Sequence, residues 1–520
     1  MKKRSLGLFG IAPWTDSSPL TDPGIRSILW RFPSKYGNPR RRPLGTPRMN
    51  NVNKNQPHNR GNPPRPRAAA PAVKPPNLGN PHAGAVTGRH WALKLLMELE
   101  ESELFLGAAL ENEGIPSQAR PIVRELVTGV LRNRELLDYN LAPLLHKPLT
   151  RLDPPVRTAL RVALYERTFL KTHAAIIGNE YAGLMRAEHL ESAVGFVNAI
   201  ARRLPDALDR LPPEQDAVAY LAVRYSQPRW AIQRWLRRFG RQGCEALCAF
   251  NNTQAPLCLR VNILRAPRRQ VLDSLLTRGI EAALSPLARD GIVVRGGGAT
   301  GWPEWNEGLL IAQDDAAQLV SLLAAPLPGQ IVIDAAAAPG GKTTHLAQMM
   351  GDRGRIHACD AAPGRLKLVT ANARRLGLAC IETHAGEFTA LAPQLPEADL
   401  VLLDAPCLGT GTWRRRPDAR WRKDPKQLAG LVKLQRQLLD AAATRVRPGG
   451  AIVYATCSLE PEENEEQILG WLRDNPAWHI EAPGVDSGVP IELVAGTGWI
   501  ATVPYRDGCD GMFAVKLRKS

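Results

Sequence analysis

The 520-residue sequence predicts an α/β protein. Its C-terminal part, 314–520, reads as a doubly wound, mainly parallel sheet, preceded by an all-α region at 87–210 and by a helical linker with a small α+β module at 211–313. Three observations predict this. Beyond residue 314, apolar runs at 331–334, 355–360, 400–404 and 451–455 alternate with loops and helical patterns, and repeated βα units imply a parallel sheet. Between 87 and 205, apolar residues recur at three-to-four spacing with short loops, the pattern of a helical bundle. Before residue 87 neither period is present.

The segment 1–86 reads as a disordered, basic, Pro-rich tail. Net charge is +17, and residues 1–90 hold 16 Lys/Arg against only Asp16 and Asp22, so the rest of the chain is close to neutral. Stretches such as Asn62-Pro63-Pro64-Arg65-Pro66-Arg67 bury too little apolar surface to offset chain entropy. Two readings stand for this tail: an arm drawn to phosphates, or an extension upstream of a start at Met49. It lacks the apolar stretch of roughly 7–15 residues of a secretory signal. Nowhere does the chain reach the roughly 18 consecutive apolar residues of a membrane span. Eight scattered cysteines without a CxxC pair argue against a disulfide scaffold or a zinc module and suit a reducing, cytoplasmic setting.

In the helical region, Thr87 is placed to cap the run His90-Trp91-Ala92-Leu93-Lys94-Leu95-Leu96, and further helices are expected at 119–133, 154–170, 173–186 and 192–203. The pattern stays helical through Trp230-Ala231-Ile232-Gln233-Arg234-Trp235-Leu236. It then changes to strands at 257–263 and 291–294 around a helix at 268–278. Cys244 and Cys248 sit four apart on a helix and read as small buried apolar residues.

The last domain carries the chemistry. Ile331-Val332-Ile333-Asp334 leads into Ala335-Ala336-Ala337-Ala338-Pro339-Gly340-Gly341-Lys342-Thr343-Thr344, a strand, a loop of small residues and a helix start. Such a loop lets backbone approach a ligand closely, and a helix N-terminus offers free N–H groups. A phosphate-binding P-loop would need glycine where Ala336 stands. Asp360 ends the next strand, the position from which a carboxylate accepts hydrogen bonds from ribose hydroxyls. Two cysteines follow two further strands, in Leu403-Asp404-Ala405-Pro406-Cys407 and Tyr454-Ala455-Thr456-Cys457-Ser458. Neighbouring strands lie about 4.8 Å apart, which brings both thiols to one pocket at the sheet's carboxyl edge.

Together these phrases resemble the Sun/NOL1/NOP2 family of RNA cytosine-5 methyltransferases. Arg414-Arg415-Arg416-Pro417-Asp418, Pro461-Glu462-Glu463-Asn464 and Asp510-Gly511-Met512-Phe513 extend the likeness. The helical region resembles the NusB-type RNA-binding domain of one bacterial branch, through Asp153-Pro154-Pro155-Val156-Arg157 and Gly195-Phe196-Val197-Asn198-Ala199-Ile200. The resemblance implies a Rossmann-like, S-adenosylmethionine-dependent methyltransferase domain, acting as a monomer on a cytosine of small-subunit (16S) ribosomal RNA. It implies cofactor contacts from Ala336, Ala337, Ala338, Pro339, Gly340, Gly341, Lys342, Asp360, Arg365 and Asp404, with Glu387 the nearest acid for the adenine and no metal. It assigns attack on the base to Cys457, release to Cys407, and protonation at the ring nitrogen to Asp404.

That assignment makes chemical sense, because C5 of cytosine is a poor nucleophile until a thiolate adds at C6. A helical arginine set, Arg124, Arg132, Arg134, Arg161, Arg202 and Arg203, offers an RNA-facing stripe or ordinary solvated helix faces. Arg414, Arg415, Arg416, Arg420 and Arg422 interleave with Trp413 and Trp421, which suits phosphate contact and base stacking. Arg260 and Asn262 are further RNA-contact candidates. Two other classes compete with this reading, an RNA-binding factor with a degenerate catalytic domain and a nucleotide triphosphatase, and within the family the alternative is a cytosine-5 methyltransferase acting on tRNA or another RNA.

Overall fold

The computed structural model describes residues 88–520 except 103, 104, 113 and 297; the tail and Thr87 lie outside them. Amphipathic spacing produces the helices Gly88–Glu101, Leu106–Leu110, Arg120–Leu141, Pro154–Thr168, Ala174–Ala187 and Glu191–Ala201. Their apolar faces meet in one core that includes Leu93, Leu126, Leu160, Ile177 and Val197. The third helix runs eight residues beyond the expected end at 133, because its later charges face inward. Arg161, itself buried, donates two hydrogen bonds of 2.7 Å to Asp138 and one of 2.7 Å to Glu100. Arg161 is therefore a core strut. Of the proposed stripe, only Arg124, Arg202 and Arg203 are exposed. Arg132 and Arg134 are half-buried, and burial pulls both guanidinium pKa values down.

Helices Ala217–Arg224 and Arg229–Asn251 follow, the second broken at Gly240, whose φ of 66° lies in the left-handed region. An antiparallel sheet comes next, formed by β1 (Leu257–Val261), β2 (Ala282–Leu284), β3 (Gly291–Val294) and β4 (Leu310–Ala312) in the order β2-β3-β1-β4. Helix Arg268–Thr277 backs it. Strands β2 and β4 are three residues each, too short to show a period in sequence.

This module corrects the expectation for Arg260 and Asn262. Both are fully buried. Arg260 donates to Gln348 Oε1 (3.0 Å), Thr344 Oγ1 (2.9 Å), Gly341 O and Gln313 Oε1. Asn262 donates to Gly308 O (3.0 Å) and Leu376 O (2.9 Å). Neither faces RNA; both tie the module to the helices of the last domain. Burial drops the Arg260 pKa to about 9.

Beyond residue 330, runs that are apolar on both faces become the parallel centre of an eight-stranded sheet. Its strands are β5 (Ile331–Asp334), β6 (Arg355–Asp360), β7 (Ile381–Ala385), β8 (Ala398–Asp404), β9 (Val446–Thr456), β10 (Trp478–Glu481), β11 (Ile500–Thr502) and β12 (Met512–Lys519). The order is β10-β12-β9-β8-β5-β6-β7, with β11 beside β12; β5 to β9 run parallel and the β12 pairings are antiparallel. Helices Asp315–Ala324 and Gly341–Met349 pack on one face, and helices Gln427–Ala443 and Glu465–Asp474 on the other. This is the doubly wound arrangement expected, with its topological switch between β5 and β8. No helix among the described residues is long and apolar enough to cross a membrane.

Replacing Arg260 by alanine strands four buried acceptors. The expected loss is about 3 kcal/mol of stability, read by denaturant unfolding of the full chain.

Candidate active site

Four neighbouring strands, in the order β6-β5-β8-β9, present their carboxyl ends side by side. Asp360 ends β6, the small-residue loop follows β5, Asp404 ends β8 and Cys457 follows β9. The register pairs Asp404 with Ala455, so the two cysteine loops leave the sheet at the same height. The sulfur atoms of Cys407 and Cys457 lie 3.5 Å apart.

The charges around the two thiols differ. Cys407 is half-buried; its hydrogen bond with Cys457, then burial of the thiol and the charges of Glu463 and Asp404, push its pKa well up. Cys457 is held down by the Cys407 hydrogen bond, and the cations Arg416 and Lys342 add to this against burial and the Asp404 charge. The pair therefore favours a thiolate at 457 and a thiol at 407. Lys342 donates to Asp404 Oδ2 at 2.6 Å, and this partnership raises the lysine pKa in spite of burial.

The loop after β5 is packed tightly against its neighbours and fixed by hydrogen bonds. Gly340 has φ of 99°, and a Cβ there would meet the Val369 Cα at 3.1 Å, so only glycine fits without strain. Asp360 is buried and accepts hydrogen bonds from Ala338 N–H (3.1 Å) and Ala362 N–H (3.0 Å), so its carboxylate is fixed beside the loop. Arg365 donates to Ala338 O at 2.8 Å and Asn372 to Pro339 O at 3.0 Å. Asp334, missed in the sequence, lies under the loop and accepts from Thr343 Oγ1 at 2.7 Å; burial raises its pKa to about 7. Its position as the last residue of an apolar strand was the available signal. Glu387 is exposed at the start of helix Phe388–Leu391, two residues past β7.

The arginine-rich segment after Cys407 departs from the expected RNA surface. Trp413 is fully buried against Trp230 and Trp235, with ring centroids 5.8 and 5.2 Å away. Trp421 donates to Leu131 O at 2.8 Å, and Arg134 lies over its ring at 5.0 Å. Arg420 is buried and donates to Ser226 O (3.0 Å), Asn252 Oδ1 (2.8 Å) and Asn251 O (3.1 Å). Arg422 donates to Leu99 O at 3.1 Å, and Asp418 accepts from Leu106 N–H at 3.2 Å. Arg414 stacks on Phe250 at 4.2 Å and donates to Gln254 O, while Arg415 pairs with Asp314 and Asp510. These residues dock the catalytic domain onto the helical region and the module. Of this group, Arg416 is exposed, on the cysteine side.

His357, Glu382 and His384 come together on β6 and β7, but His357 Nδ1 and His384 Nε2 already share a hydrogen bond of 3.0 Å.

Residues 321–518 match the 16S rRNA methyltransferase RsmB/F family, 87–206 the NusB family, and 227–300 the RsmF/B-like ferredoxin-like domain. The chain is 33% identical over 450 residues to the probable ribosomal RNA small subunit methyltransferase B of Synechocystis, covering 84% of this chain and all of that one. It is 36% identical to the ribosomal RNA small subunit methyltransferase B of Pseudomonas putida, over 79% of this chain and 95% of the relative. The crystal structure of PH0851 aligns with a TM-score of 0.72 at 26% identity, over 83% of this chain and 98% of that one. That of NSun6 from Pyrococcus horikoshii with SFG aligns at 0.51 and 21% identity, over 56% of this chain and 98% of that one, a likeness of fold. With the site's geometry and relatives matched over nearly their full length, the chain belongs to the ribosomal RNA small subunit methyltransferase B family.

Proposed function

We propose that the chain methylates C5 of a cytosine in small-subunit ribosomal RNA through a covalent adduct between Cys457 and C6 of the base. The carrying observation is the pair of sulfurs 3.5 Å apart beside the Lys342–Asp404 pair, at the ends of β8 and β9. The methyl donor is S-adenosylmethionine, which supplies an electrophilic methyl on a sulfonium. Residues Ala336 to Lys342, with Asp360 and Arg365 behind them, would form its cradle; the buried Asp360 carboxylate, fixed beside the loop at the end of β6, fits a ribose-bearing ligand.

The steps follow from the charges. Cys457, as thiolate, adds to C6, while Asp404 supports protonation at N3, and the ring becomes electron-rich at C5. Once the 457 sulfur is bonded to carbon it carries no charge. The neighbour that held the proton on Cys407 is then gone, and Cys407 ionises more readily. C5 then holds both its proton and the methyl taken from the sulfonium, which leaves as the neutral thioether. Cys407, its own proton passed to solvent, takes the C5 proton. N3 gives up its added proton, and the C6–S bond breaks to return the Cys457 thiolate and the methylated base.

The target base must leave any pairing to reach this edge, and this reading takes free RNA or an early assembly intermediate as the substrate. The helical region 87–210, through Arg124, Arg202 and Arg203, and Arg416 beside the cysteines are the RNA contacts this reading retains. The module at 211–313 braces the catalytic domain at 314–520.

Cys457→Ala abolishes turnover and forms no adduct, whereas Cys407→Ala slows turnover about 10²–10⁴-fold and accumulates an adduct seen on a denaturing gel. The reverse pattern would mean the roles are misassigned. Bisulfite mapping of small-subunit rRNA with and without the protein locates the cytosine. Because Cys457 titrates below an ordinary thiol, its alkylation by iodoacetamide, read by peptide mass spectrometry, sets in at lower pH than that of Cys407. Arg416→Gln moves the Cys457 onset to higher pH. Asp360→Ala weakens S-adenosylmethionine binding about 10–100-fold by calorimetry.

A further inference from the structure

Glu463 and Asn464 belong to neither cysteine loop, yet between them they hold both. The Glu463 side chain is fully buried, and its carboxylate accepts hydrogen bonds from Leu408 N–H (3.0 and 3.3 Å) and from Gln435 Nε2 (3.0 Å). Gln435 also donates to Pro406 O at 2.9 Å, so the residues on either side of Cys407 are gripped from one point. Asn464, equally buried, accepts from Thr456 Oγ1 and donates from Nδ2 to Ser458 O at 2.9 Å, which grips the residues on either side of Cys457. Tyr454, in β9, donates to Glu463 O at 2.7 Å and locks the dipeptide to the sheet. From outside, Arg234 pairs with Glu460 and Glu462, and Arg238 with Glu465 at 2.9 Å, so the long helix Arg229–Asn251 braces the same turn.

We propose that Glu463 and Asn464 are positioning residues, one clasp that sets Cys407 against Cys457. The Glu463 carboxylate beside Cys407 adds to the neighbours that favour its protonated form. The inference rests on the covalent reading above for its consequence in turnover, but the clasp itself is a statement about the free protein. Cys407 faces Cys457, Glu463 and Asp404, with Lys423 on its own carbonyl. Cys457 faces Cys407, Asp404, Arg416 and Lys342, with Asp510 beyond. Glu463 is the one charge in the two sets that reaches Cys407 from the turn after β9.

The test uses the full chain. Glu463→Gln keeps the shape and an acceptor for Leu408 N–H but removes the charge. In a Cys457→Ala background, alkylation of Cys407 by iodoacetamide then sets in at lower pH than with Glu463 present, while the denaturant midpoint of the full chain stays at the parent value, which separates lost charge from lost packing. Asn464→Ala in a Cys407→Ala background forms the adduct with 16S rRNA transcript about 10²-fold more slowly, with S-adenosylmethionine affinity unchanged, and Asn464→Asp, which keeps the acceptor for Thr456, recovers part of the rate. An unmoved Cys407 pH profile, or adduct formation by Asn464→Ala at the parent rate, overturns the clasp. Absence of adduct in Cys407→Ala alone instead overturns the covalent reading, and the alkylation experiment still decides the clasp.

Discussion

Parallel pairing of β8 with β9, in the register that sets Asp404 opposite Ala455, is the constraint on which the site depends. Each strand is buried on both faces, and a slip by one residue would turn every inward side chain to the other side of the sheet. The register is therefore held by the whole core, and the two cysteines inherit their 3.5 Å separation from it. The loops then need little freedom. Gly411 N–H donates to Cys457 O at 2.9 Å, and Gly511 N–H to Gly411 O at 2.8 Å. A Cβ on Gly411 would meet Gly511 O at 2.2 Å, so backbone alone fits where the two family phrases cross.

A division of labour follows from the strand order. The β5 and β6 ends hold the small-residue loop and Asp360, and the β8 and β9 ends hold the acid and the thiols. Lys342, from the helix after β5, spans the two halves through Asp404. A cation in this place serves both sides: it balances a carboxylate near the small-residue loop and lowers the cost of a thiolate at Cys457.

The arginines show how charge serves two ends in one chain. Arg161, Arg260 and Arg420 are buried and Arg415 half-buried, each with several acceptors, and they join segments far apart in sequence. A guanidinium presents five donors in a plane, so one buried arginine can satisfy carbonyls from two or three elements at once. The docking segment 413–422 uses this to seat the catalytic domain against the helical region. The same segment carries exposed Arg416 toward Cys457.

Much of this was legible in the chain alone. Repeated apolar runs, the small-residue loop, Asp360 and the two cysteine phrases each depend on local pattern, and local pattern is what a sequence displays directly. The helix 120–141 was cut short, and β2 and β4 were invisible, because inward-facing charges and three-residue strands have no period of their own. Whether Arg260, Trp421 or Arg420 met RNA or protein was decided only by tertiary structure. A side chain, cation or indole, reads the same in sequence wherever it points, and its burial is set by partners 88, 290 and 194 residues away. The clasp at Glu463 and Asn464 is of the same kind: its letters were in view, but its grip on both cysteine loops exists only where the chain returns to itself.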